Sequence, residues 1–162
     1  MIEIKAPDSY QAQRHLPSVF LAGSIEMGVA EDWQARVSAA LAELDVLVLN
    51  PRRANWDASW EQKIDNPPFR EQVEWELDAL DAADIVLMYF SPETKSPITL
   101  LELGVHAAAN PQKLLVCCPE GFWRKGNVDI VCNRYGARQV PTLEALIAAT
   151  IESVQQQQGE MS

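Results

Sequence analysis

Glu76-Leu77-Asp78-Ala79-Leu80-Asp81-Ala82-Ala83-Asp84-Ile85-Val86-Leu87-Met88-Tyr89-Phe90 changes character halfway along. Up to Ala83 the apolar residues Phe69, Val73, Leu77 and Leu80 recur at helical spacing, and Asn66-Pro67 supplies an N-cap with Pro in the first turn. From Ile85 to Phe90 the residues are apolar without interruption, the pattern of a strand covered on both faces. A helix running straight into such a strand is half of a crossover unit, because parallel neighbours can be joined only by a crossover.

The same alternation extends outward. Val19-Phe20-Leu21-Ala22 is a first strand stopped by Gly23-Ser24; Trp33, Val37, Ala40, Leu41 and Leu44 mark a helix; Val46-Leu47-Val48-Leu49 is a second strand. Beyond Phe90 come a turn from Ser91 to Ser96, a helix from Pro97 to Ala109 and a fourth strand from Lys113 to Cys118. A weaker helix at Asn127 to Tyr135, a short fifth strand Arg138-Gln139-Val140 and a last helix on Leu143, Leu146, Ile147 and Ile151 complete the pattern. It predicts a single-domain, doubly wound α/β fold: a five-stranded parallel sheet with helices on both faces. Residues 1–17 read as an N-terminal extension, 18–154 as the domain, and 155–162, with Gln155 to Gln158, as a fraying polar tail.

At 162 residues and 48% hydrophobic the chain suffices for one core. Its net charge of −10 repels phosphate backbones and anionic lipid, which argues against polymeric nucleic acid and membrane surfaces as partners. No apolar run approaches the roughly 20 residues of a bilayer span, and Met1-Ile2-Glu3-Ile4-Lys5 has no signal-peptide pattern, so the expected compartment is cytoplasmic. Cys117, Cys118 and Cys132 read as reduced, buried small hydrophobes, and His15 and His106 are too few and scattered for a zinc site. No metal and no cofactor are expected, and neither a Walker loop nor Gly-x-Gly-x-x-Gly is present.

Ligands of doubly wound sheets bind beyond the carboxyl ends of the strands, here Gly23 to Glu26, Asn50 to Asn66 and Ser91 to Glu102. Gly23-Ser24 offers backbone N–H groups and a hydroxyl to a polar ligand, or is simply a tight turn. Arg52-Arg53-Ala54-Asn55-Trp56 suits an anionic or aromatic ligand, or is a solvated basic turn with Trp56 and Trp60 pinning a long loop. Glu102 stands among leucines in Leu100-Leu101-Glu102-Leu103-Gly104: either a carboxylate buried for a purpose, or the far end of a capping box opened by Thr99. Glu76 reads by default as an exposed helix-flank carboxylate, and Asp84 as the closure of a turn.

Three segments in this order, Val19 to Ile25, Glu76 to Asp84 and Ser96 to Gly104, resemble the nucleoside 2-deoxyribosyltransferase family, including relatives that hydrolyse deoxynucleoside 5′-monophosphates. Asn50-Pro51-Arg52-Arg53 and Asp65 to Arg70 look more like a transferase-like branch of it. The resemblance implies a flavodoxin-like fold, a nucleoside or nucleoside monophosphate as substrate, and a homo-oligomer. It also implies that Glu102 is the nucleophile on the anomeric carbon and that Glu76 stands where the family has an Asp that contacts and helps protonate the base. Cleavage through an oxocarbenium-like transition state needs such a pair, and a position near a helix start would favour ionised Glu102. Phe20, Gly23, Ser24, Arg52, Arg53, Trp56 and Ser96 are the expected substrate-binding residues. Phe20 replaces a Tyr whose hydroxyl orients the nucleophile in many members, and Ile98 and Leu100 stand where glycines are frequent. Ser96, where nucleoside-specific relatives carry Asp, puts 5′-monophosphates ahead of free nucleosides, with Arg52 or Arg53 as the cation; Glu26, in the place of a phosphate-contacting Arg, counts against it. The competing readings are a non-catalytic flavodoxin-like domain that binds a nucleotide or protein partner, and an NAD glycohydrolase.

Overall fold

The computed structural model describes residues 1–25 and 31–161. In chain order the elements are β1 (Ile2–Lys5), β2 (Ser18–Gly23), α1 (Trp33–Ala40), β3 (Leu47–Asn50), α2 (Pro67–Ala82), β4 (Ile85–Tyr89), α3 (Pro97–Ala109), β5 (Leu114–Cys117), α4 (Lys125–Tyr135), β6 (Arg138–Val140) and α5 (Leu143–Met161). All strand pairs are parallel, in the order β1-β3-β2-β4-β5-β6. Without β1 this is the flavodoxin-like order, and the chain reverses direction across the sheet between β2 and β4.

The sheet has six strands, not five. Ile2–Lys5 pairs with β3 in register from Ile2 opposite Leu47 to Lys5 opposite Asn50. An edge strand has one neighbour and needs little apolar surface, so two charges in four residues hid it. Glu3 anchors it by accepting hydrogen bonds from Asn50 Nδ2 at 2.7 Å and Ser38 Oγ at 3.2 Å. The glutamine-rich end likewise continues α5: Val154 is fully buried, and Gln158 Nε2 donates to the Asp45 carbonyl at 2.9 Å.

Successive residues of β2 point to opposite faces. Phe20 and Ala22 pack with Trp75, Leu80, Leu103 and Val128 under α2, α3 and α4, while Val19 and Leu21 pack with Trp33, Val37, Leu146 and Val154 under α1 and α5. Both faces are thus closed. Asp84 does more than end a turn: Ser18 donates to its Oδ2 from N at 2.8 Å and Oγ at 2.7 Å, tying together the starts of β2 and β4. Lys113 Nζ donates to the Leu80 carbonyl at 2.6 Å, satisfying the C-terminal end of α2. The three cysteines are free and buried, their thiols pushed up by burial to about 11, 12 and 11 for Cys117, Cys118 and Cys132. They are protonated and unreactive at neutral pH.

Candidate active site

A cavity of about 540 Å³ opens beyond the carboxyl ends of β2 and β3, between facing sides of α2 and α3. On α2 the lining residues Phe69, Gln72, Val73, Glu76 and Leu77 recur every three or four positions, as do Ile98, Leu101, Glu102, Val105 and His106 on α3. Each set is one helical face, so the two helices hold Glu76 and Glu102 in one space. Phe20 and Ala22 form the floor, Gly23 and Ser24 one end, and Trp56 and Gln62 of the long loop after β3 the cover. The volume is in the ordinary range for a small-molecule site.

Only glycine fits at position 23. A Cβ there would lie 2.5 Å from the Tyr89 carbonyl oxygen and 2.7 Å from Trp33 Cζ2. The close approach of β2 and β4 delivers the next residue, Ser24, to the switch point, where Trp33 Nε1 donates to its carbonyl at 3.0 Å. Ser24 Oγ lies 2.6 Å from Ser96 Oγ and 2.8 Å from Thr94 Oγ1, and Thr94 Oγ1 lies 2.8 Å from Ser96 Oγ. These buried hydroxyls form a triangle at the entrance of α3. Ser96 is the N-cap residue by position, yet its side chain does not cap; its backbone is left-handed at φ 44°, ψ 52°. A non-glycine residue held so costs about 1–3 kcal/mol and persists only where its surroundings enforce it.

Glu102 is not the end of a capping box. The helix starts at Pro97, so Thr99 is its third residue rather than its cap, and the Glu102 carboxyl accepts no hydrogen bond among the described residues. Half-buried at the cavity wall, it has its pKa pushed up to about 8, first by burial and then by the nearby Glu76 carboxylate. The ionisation expected from its helix position is therefore outweighed: Glu102 lies in the second turn, where the dipole has faded, and desolvation dominates. Glu76 is half-buried rather than an exposed flank group. Burial raises its pKa too, opposed by Gln72 Nε2, which donates to its Oε1 at 2.6 Å and to the Pro51 carbonyl at 2.8 Å. Two desolvated carboxyls in one cavity cannot both ionise cheaply, and they titrate as a pair.

Of the expected binding residues, Phe20, Gly23, Ser24, Trp56 and Ser96 line the cavity; Arg52 and Arg53 do not. Arg52 is paired with Asp32 at 3.0 Å, and Arg53 with Glu71 at 3.0 Å, its guanidinium 5.1 Å from the Trp60 ring centre. Acidic partners from α2 and from the residue before α1 capture both, which no local pattern discloses. Glu26 lies outside the described residues. Ile98 lines the cavity, whereas Leu100 turns toward the core. Sequence reasoning passed over His106: it is buried on the cavity wall one turn after Glu102. The sequence signal for it is its spacing of four residues from Glu102, which puts the two on one helical face. Among the described residues no group of three His, Cys, Asp or Glu side chains could hold a metal ion, and no helix is long and apolar enough to cross a membrane.

No curated protein matches the sequence. A solved structure of a conserved protein from Enterococcus faecalis V583 matches with a TM-score of 0.59 at 15% identity, over 88% of this chain and 99% of that one, a likeness of fold alone. The sequence model described as "nucleoside 2-deoxyribosyltransferase like" matches residues 16–122, which include β2, α2, β4, α3 and every cavity-lining residue. The chain belongs to the nucleoside 2-deoxyribosyltransferase-like family.

Proposed function

We propose that the protein breaks the N-glycosidic bond of a nucleoside through a glycosyl intermediate on Glu102. A Glu102 carboxylate oxygen bonds to the anomeric carbon as the carbon–nitrogen bond breaks; the bonding pair leaves with the base, whose nitrogen takes the proton held at Glu76. Water or a second base then attacks the same carbon, frees Glu102 and returns a proton to Glu76. The observation that carries this reading is the uncapped Glu102 sharing one cavity with Glu76, close enough for the Glu76 carboxylate to raise its pKa. A domain that merely binds would need Glu102 only as a helix cap, which it is not. Phe20, Phe69 and Trp56 offer aromatic surface to the base, and the Ser24–Ser96 hydroxyls suit a sugar hydroxyl. Leu77, Ile98, Leu101 and Val105, each roughly half exposed, ring the mouth and support the homo-oligomer that family membership suggests.

The substrate we infer is the free nucleoside rather than its 5′-monophosphate, the reverse of the expectation drawn from Ser96 alone. No Lys or Arg lines the cavity among the described residues, and Glu26 to Ala30 contains none. A phosphate would meet two carboxyls and no cation, which costs several-fold or more in binding. The same lack disfavours the pyrophosphate of NAD. The test is chromatography of a panel of nucleosides and their 5′-monophosphates, with and without a second free base. The expected result is base release or exchange with kcat/KM at least about tenfold higher for the nucleoside, a preference widened in Ser96→Asp. A wild-type preference for the monophosphate would refute the substrate assignment, and no turnover of any member would refute the activity.

A further inference from the structure

Resting on that reading, we propose that His106 is the positioning residue of this site, its imidazole N–H donating a hydrogen bond to the Glu102 carboxylate. Phe20 has no hydroxyl to offer from the cavity floor, so Glu102 lacks a donor from β2. His106 follows Glu102 by four residues on the same face of α3, the separation at which helical side chains meet, and both line the cavity. It is only 4% exposed, and neither ring nitrogen has a hydrogen-bond partner among the described residues. An imidazole and a carboxyl four residues apart on one helical face, neither with a hydrogen-bond partner, can satisfy each other across a single turn.

The charged groups facing the two side chains set the protonation states. His106 meets Lys113, just before β5, and Asp81 of α2; burial and Lys113 hold its pKa below the usual histidine value. At neutral pH it is therefore a neutral ring with one N–H. Glu102 faces Glu76 of α2. A neutral donor aimed at Glu102 stabilises its carboxylate and so eases transfer of the proton that burial leaves there to Glu76, where the departing base requires it. Without that donor Glu102 holds the proton more tightly still.

The test is carbon-13 NMR titration of the ligand-free protein with labelled glutamate side chains, Glu102 being assigned by its absence in Glu102→Gln. In His106→Leu, which keeps the bulk and removes the donor, the Glu102 carboxyl should titrate about one pH unit higher than in wild type, and His106→Gln should restore most of the shift. The acid limb of kcat/KM should move in the same direction. An unchanged Glu102 titration in folded His106→Leu, or a His106→Gln that behaves like the Leu variant, overturns the proposal. Should His106→Leu fail to fold, the imidazole nitrogen-15 shifts of wild-type His106 decide: they must inflect as Glu102 titrates, and a flat response overturns the proposal. These titrations need no turnover, so a protein inactive on every nucleoside would sink the proposed reaction and leave this inference separately readable.

Discussion

Glu102→Gln should lower glycosidic turnover by three orders of magnitude or more and, at the same time, make the protein more stable at neutral pH. The first effect follows from removing the nucleophile of a pair that acts as a unit, since an amide of the same shape cannot take up the sugar. The second follows from linkage. Below about pH 4.5 Glu102 is protonated in both folded and unfolded chains and contributes nothing; above it the unfolded chain releases the proton while the folded one keeps it up to about 8. The folded state therefore carries a growing penalty between those two values, which a neutral glutamine does not. Allowing for water in the open cavity, the gain at pH 7 is about 2 kcal/mol, and it should vanish on acidification to pH 4. Denaturant midpoints of the two proteins at both pH values check it. A helix-capping Glu102 would give the opposite sign, a loss of about 0.5–2 kcal/mol, with turnover retained.

Glu76→Gln should separate substrates by their leaving bases. Protonation of the departing nitrogen matters in proportion to its basicity, so the variant should lose about a hundredfold to ten-thousandfold on nucleosides with poor leaving bases and much less on activated ones. Competition assays over a graded series of bases measure the slope. An equal loss across the series would make Glu76 a binding group held by Gln72. Because Glu76 raises the pKa of Glu102, the same variant should also move the acid limb of the pH profile to lower pH.

What could be read in the sequence was whatever the chain encodes locally. Ile85 to Phe90 is apolar because β4 is covered on both faces, and Asn66-Pro67 starts α2 because Asn66 Oδ1 accepts from the Phe69 N–H at 3.5 Å, with Pro in the first turn. Glu102 stood out because a carboxyl among leucines is costly to bury. Features set by distant partners were not legible. β1 exists through pairing with β3, whose first residue lies 45 positions beyond Ile2, and the end of α5 is held by the Asp45 carbonyl. Arg52 and Arg53 announced charge but not direction, which Asp32 and Glu71 decide. His106 shows the same limit: its spacing from Glu102 was visible, but its burial at the cavity wall depends on how α3 lies against α2.

The most direct measurement is mass spectrometry of the protein quenched during turnover of a nucleoside that releases its base slowly, followed by peptide mapping. The account predicts one pentosyl-type adduct per chain, on the peptide containing Glu102, absent from Glu102→Gln and removed when a second base is supplied. Base release at the full rate in Glu102→Gln, or an adduct on any other residue, would contradict it.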